Sequence, residues 1–233
     1  MTTYFSPRLS LLAASLTLLA GAASLSAPAV AESGVRAYEV TITNLTRGQQ
    51  FTPILVASHR AGVELFEFGQ PASSELEALA ENGNTAPFAA TLGGNPDVLD
   101  VTDTGGLLNP GESVTVQVET NGRYDHLSVA SMLIPTNDGF LALNGVEGPE
   151  GGHSRTFYSG AYDSGSERND ENCASIPGPF FEECGGPGSG GAPDGGEEGF
   201  VHVHAGIHGN GDLQAAERDW RNPVARIVVR QVR

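Results

Sequence analysis

Residues 128–145 constrain the fold of this chain more than any other stretch. The apolar run Ser128-Val129-Ala130-Ser131-Met132-Leu133-Ile134 enters Pro135-Thr136-Asn137-Asp138-Gly139, and a second apolar run, Phe140-Leu141-Ala142-Leu143, leaves it. Proline presets φ for a turn, Asn and Asp side chains bond their own backbone, and glycine accepts positive φ without steric cost. The pattern predicts two core strands joined by a tight turn that presents the carboxylate of Asp138 at its tip. Loops of this kind carry the chemistry of β-proteins. A second acidic stretch follows, Tyr162-Asp163-Ser164-Gly165-Ser166-Glu167-Arg168-Asn169-Asp170-Glu171. The rest of the chain reads as the scaffold that brings these two loops together.

That scaffold is written mostly in short strands. Residues 35–43 alternate through Tyr38, Val40 and Ile42, and residues 113–119 alternate through Val114, Val116 and Val118. Residues 50–58, 124–133, 200–204 and 224–232 give further strands, whereas 63–68 is a short aromatic segment and 88–92 and 98–102 are weak strands or loops. One helix is signalled by the capping box Ser74-Glu75-Leu76-Glu77, the shared face of Leu76, Leu79 and Ala80, and the stop Asn82-Gly83-Asn84. Residues 148–199 turn to Gly, Pro, Ser and acids, with low complexity at 185–196, and predict a long Gly-rich loop. The sum is an all-β protein, an antiparallel β-sandwich with one short helix.

The first residues predict export. Arg8 precedes the apolar residues 11–19, and Ala29-Val30-Ala31 closes the order of a signal peptide, so residues 1–31 are expected to be cleaved from a single domain at 32–233. An uncleaved anchor is the alternative, but the apolar run is short and rich in Ala, Ser and Gly. The expected location is secreted or periplasmic, with no transmembrane segment in the mature chain. The formal charge is −16 and there is no Lys, which disfavours nucleic acid and attracts cations, while solubility or adaptation to a salty medium is the better account of most of these carboxylates. Cys173 and Cys184, the only cysteines, predict a disulfide in an exported chain. A thiolate metal pair is the competing reading, with only Glu182 and Glu183 nearby as further ligands. Asn44-Leu45-Thr46 matches a glycosylation acceptor and is assigned no role.

Calcium takes roughly six to eight oxygen ligands in irregular loops. Asp138 on one loop and Asp163, Glu167, Asp170 and Glu171 on the other offer that chemistry, and a plain solvated acidic loop is the alternative. Three motifs then resemble the spondin domain of F-spondin and mindin. Pro135-Thr136-Asn137-Asp138-Gly139-Phe140 is similar to that family's Ser-Pro-Ser-Pro-Asp-Trp-Phe, with Gly139 in the place of Trp. Tyr162-Asp163-Ser164-Gly165-Ser166-Glu167 resembles its Tyr-Asp-Ala-Gly-Thr-Asp, and Pro223-Val224-Ala225-Arg226-Ile227 resembles its Pro-x-Ala-Arg-Val strand. The resemblance implies a spondin-like β-sandwich of extracellular recognition proteins with calcium held by loop carboxylates, here Asp138, Asp163 and Glu167.

A second candidate is His202-Val203-His204-Ala205-Gly206-Ile207-His208. Residues two apart share a strand face, so His202 and His204 point the same way, and His208 follows a glycine turn. Such a set suits zinc or copper, and an exposed polar strand face is the bland alternative. No nucleophile elbow, phosphate loop or His-Glu-x-x-His motif is present, so no enzyme is expected. The expected function is a calcium-binding recognition or adhesion-type domain at the cell surface or in the periplasm, its protein or matrix ligand unidentified. The alternative is a periplasmic transition-metal protein or metalloenzyme built on His202, His204 and His208.

Overall fold

The computed structural model describes residues 1–2 and 36–232 apart from 189 and 192–194; the expected signal peptide lies outside the described residues. The strands are β1 (Arg36–Asn44), β2 (Gln50–Phe51), β3 (Leu55–His59), β4 (Val98–Asp103), β5 (Ser113–Thr120), β6 (His126–Ile134), β7 (Gly139–Glu147), β8 (Ser154–Ser159), β9 (Ala161–Asp163), β10 (Gly178–Phe181), β11 (Gly186–Gly188), β12 (His202–Val203) and β13 (Ala225–Val232). The helices are α1 (Ser74–Asn82), α2 (Ala86–Gly93) and α3 (Ala215–Arg218). One sheet has the order β5-β1-β13-β8; the larger has β12-β9-β7-β6-β3-β4, with β2 also paired to β6, and β10-β11 form a separate ribbon. All of these pairings are antiparallel. The all-β sandwich is therefore as the strand pattern foretold.

Alternation decides which residues fill the core. Tyr38, Val40 and Ile42 of β1 join Ile227 and Val229 of β13 against Leu127, Val129, Leu141 and Leu143 of the larger sheet. Leu55, Ala57, Ala130, Phe140 and Ala142 pack with Leu76, Leu79, Phe88 and Leu92 of the two longer helices. Because β6 and β7 belong to both apolar clusters, their central residues are buried on both sides. This two-sided burial explains why residues 128–143 read as continuous apolar runs rather than as alternation.

The sequence reading needs four corrections. The helix is capped by Ser73, not Ser74: Ser73 Oγ accepts the Leu76 N–H at 3.2 Å, and Gly83 ends it at φ 64°. There are three described helices rather than one. Helix α2 starts with proline in its first turn and buries Phe88 and Leu92, a spacing too brief to stand out from a strand. Residues 148–199 are not one long loop but contain β8, β9, β10 and β11, and Cys173 and Cys184 form the expected disulfide. Strand β8 escaped notice because Ser-Arg-Thr-Phe-Tyr-Ser on a sheet edge has no apolar periodicity. Finally, residues 50–58 split into two strands, and 200–204 shrink to the two residues of β12.

Asn44 is buried, and its amide donates to the carbonyls of Gln49 (2.8 Å) and Leu108 (3.1 Å), so the glycosylation match is incompatible with the fold. Among the described residues no helix is long and apolar enough to cross a membrane. Phe140 is fully buried, and its ring meets Phe66 edge-on at 5.3 Å. Phe140→Ala is expected to cost about 3–5 kcal/mol in denaturant unfolding. A loss below about 1 kcal/mol would contradict two-sided burial of β7.

Candidate metal centre

Strand register brings the two acidic loops to one sheet edge. Asp163 lies opposite Gly139 in the β7–β9 pair and opposite His202 in the β9–β12 pair. Thr136 shapes the turn before β7: its hydroxyl donates to the Leu133 carbonyl at 2.5 Å and accepts the Gly139 N–H at 3.0 Å. Asp138 is thereby turned inward and fully buried. Its Oδ2 accepts the Ser164 hydroxyl (2.9 Å) and the N–H groups of Ser166 (2.9 Å) and Glu167 (3.0 Å). Its Oδ1 is buried with no hydrogen-bond partner. The second loop closes tightly at Gly165, where an added Cβ would lie 2.3 Å from the Phe200 carbonyl oxygen.

Asp163 is also fully buried, its Oδ1 accepting the Gly165 N–H at 2.8 Å and its Oδ2 the Asn169 amide at 2.7 Å. Burial pushes the Asp138 carboxyl up to about 6, and the charge of neighbouring Asp163 adds to the rise. Burial likewise raises Asp163, while the Asn169 and Gly165 donors oppose the shift. Two imidazoles face this pair. His202 Nε2 stands 3.5 Å from Asp163 Oδ1, and His204 Nε2 stands 3.9 Å from Asp163 Oδ2. His204 is held near 4 by burial and is neutral at physiological pH.

The expected ligands separate into distinct roles. Glu167 is buried and contributes its backbone N–H to Asp138. Asp170 accepts from Asn137 (3.1 Å), from Ser175 (2.7 Å) and from the Asn172 N–H (2.9 Å), tying the two loops together. Glu171 clamps the N–H groups of His208 and Asn210, each at 2.6 Å. The His208 side chain is exposed, so His202 and His204 share the Asp163 face without it. The bland alternative of an exposed polar strand face does not hold: His204 is buried, whereas Val203 is 60% exposed. A side chain the sequence did not single out, Glu198, joins Asp163 and His202 in a group whose ligand atoms lie within 4.8 Å of one another. Its sole sequence signal was an acidic pair inside a Gly-rich stretch.

Gly139 is also explained. A Cβ there would lie 2.8 Å from Thr136 Oγ1 and 2.9 Å from His204 Cδ2. The His204 ring, packed on Trp220 at 5.0 Å, occupies the space that a side chain at position 139 would need.

The antiparallel sandwich thus brings two buried carboxylates, Asp138 and Asp163, to one loop edge. Residues 41–151 match the Spondin_N family, a match that supports the spondin domain resemblance over that span. The matched span includes Asp138 and ends before Asp163, Glu167 and residues 222–227. No curated protein matches the chain. The family match and the disulfide both fit a location outside the reducing cytoplasm.

An acid whose folded value exceeds its unfolded value stabilises the fold at low pH and loses that contribution as pH rises. For Asp138 the window runs from 3.8 to about 6. In excess chelator, the unfolding midpoint is expected to fall as pH rises through this window, and Asp138→Asn to flatten the fall. An equal fall in Asp138→Asn would assign it to other groups.

Proposed function

We propose that this chain is an exported, non-catalytic recognition domain, secreted or periplasmic, in which calcium held between Asp138 and Asp163 pins the two acidic loops. The carrying observation is Asp138 Oδ1, a fully buried carboxylate oxygen without a hydrogen-bond partner beside a second buried carboxylate. Two such charges oppose each other's ionisation, and a cation between them removes that opposition and satisfies the orphaned oxygen. Carboxylate oxygens in irregular loops are the donor type that calcium takes, and Glu167 in the same loop is the third proposed ligand. Pinning the loops presents a fixed edge to a protein or matrix ligand. A binding role also suits the hydroxyl of Ser164, which donates to Asp138 rather than facing a base.

Calcium bound only by the folded state raises stability by about 2.7 kcal/mol at a hundred times its dissociation constant. Thermal unfolding with calcium against chelator is expected to show this rise, and Asp163→Asn to abolish it. No calcium-dependent shift in the wild-type chain would refute the proposal.

A further inference from the structure

We propose that Asp163 Oδ1, His202 Nε2 and the Glu198 carboxylate form a second cation position, one of mixed nitrogen and oxygen donors that takes zinc or a first-row neighbour. It shares Asp163 with the calcium reading and rests on that reading to this extent, but it does not use Asp138 Oδ1. The three ligand atoms lie within 4.8 Å of one another, and the Asp163–His202 pair is 3.5 Å apart. Two ligands about 2.0–2.1 Å from a tetrahedral zinc stand about 3.3–3.4 Å apart, so little movement is needed to close on the ion.

Tautomers decide which histidine can serve. His202 Nδ1 lies 3.0 Å from the Val203 carbonyl, which can only accept, so in the neutral ring Nδ1 carries the proton and Nε2 presents its lone pair. That is the arrangement in which a backbone carbonyl orients a metal-binding imidazole. His202 Nε2 is buried without a hydrogen-bond partner and faces an acceptor-only carboxylate oxygen. Lone pair against lone pair is repulsive unless a proton or a metal cation lies between them. His204 is the opposite case: its Nδ1 accepts the Gly206 N–H at 2.9 Å, so the proton of the neutral ring sits on Nε2. That N–H is buried without a hydrogen-bond partner and stands 3.9 Å from Asp163 Oδ2. His204 is therefore a positioning residue and not a ligand.

The shell around the carboxylate supports this division. Asn169 donates to Asp163 Oδ2 at 2.7 Å and reaches Glu198 at 3.5 Å, linking two of the ligands. With Oδ2 engaged by Asn169 and faced by His204, the remaining lone pair of Oδ1 is free toward His202 and Glu198. Imidazole nitrogen suits zinc, copper or nickel and is a poor ligand for calcium. Glu198 is exposed and the His202 side chain is 25% exposed, so the fourth position opens to solvent.

The test is titration of the full chain, stripped of metal by chelator, with zinc by calorimetry and with cobalt by visible absorption, alongside thermal unfolding. One zinc per chain is expected, with a raised midpoint and a cobalt spectrum of low coordination number. His202→Ala and Glu198→Gln should each weaken zinc by more than the roughly 10–100-fold that an outer-shell change costs. Both should keep the calcium-dependent shift, and His208→Ala should bind zinc as the wild type does. Zinc binding unchanged in His202→Ala and Glu198→Gln, its loss in His208→Ala, or no zinc binding at all would overturn the inference. A wild-type chain that binds zinc in this way but shows no calcium shift would refute the calcium reading alone.

Discussion

The enforced closeness of two buried carboxylates is the constraint on which this structure depends. Asp163 is carried under the β6–β7 turn by the register that sets it opposite Gly139. Asp138 is carried there by the turn itself, with Thr136 holding both of its ends. Neither residue can leave without breaking a strand pair or the turn, so the surroundings must accommodate the charge. They do so with Ser164, Ser166 and Glu167 on one oxygen of Asp138 and with Gly165 and Asn169 on Asp163. One oxygen, Asp138 Oδ1, is left over. Cation binding is the simplest physical completion of this arrangement.

The same register draws in the histidines. Strand β12 is only two residues long, but its pairing with β9 places His202 against Asp163. Gly139 then lets the His204 ring come close beneath the turn. Elements that looked like separate candidates, an acidic loop and a histidine strand, are thus one site, with an oxygen-rich interior and a mixed nitrogen and oxygen rim. The larger sheet supports it rigidly, being covered by the smaller sheet on one face and by helices on the other.

Much of this was legible in the residues. The apolar runs around residue 135 gave the central strands, because burial on both faces leaves an unmistakable continuous pattern. Turn chemistry and motif singled out Asp138 and Asp163, the period of two singled out His202 and His204, and the fold brings these side chains together. What was hidden depended on partners distant in sequence. Strand β8 has a polar edge sequence that becomes a strand only by pairing with β13. His208 looked equivalent to the other two, but Gly206 at φ 98° and the Glu171 clamp on the following backbone turn it away. Nothing local distinguishes Glu198 from Glu197; the Gly199 N–H bond to the Gly165 carbonyl and the β9–β12 pairing hold its segment beside the Asp163 loop.

The most direct test is a crystal structure of the calcium-saturated protein with anomalous scattering to locate the ion. The expected result is a peak about 2.3–2.6 Å from Asp138 Oδ1 and from an Asp163 oxygen. A saturated crystal with no cation at that position, and Asp138 Oδ1 hydrogen-bonded to water or to a protonated neighbour instead, would contradict it.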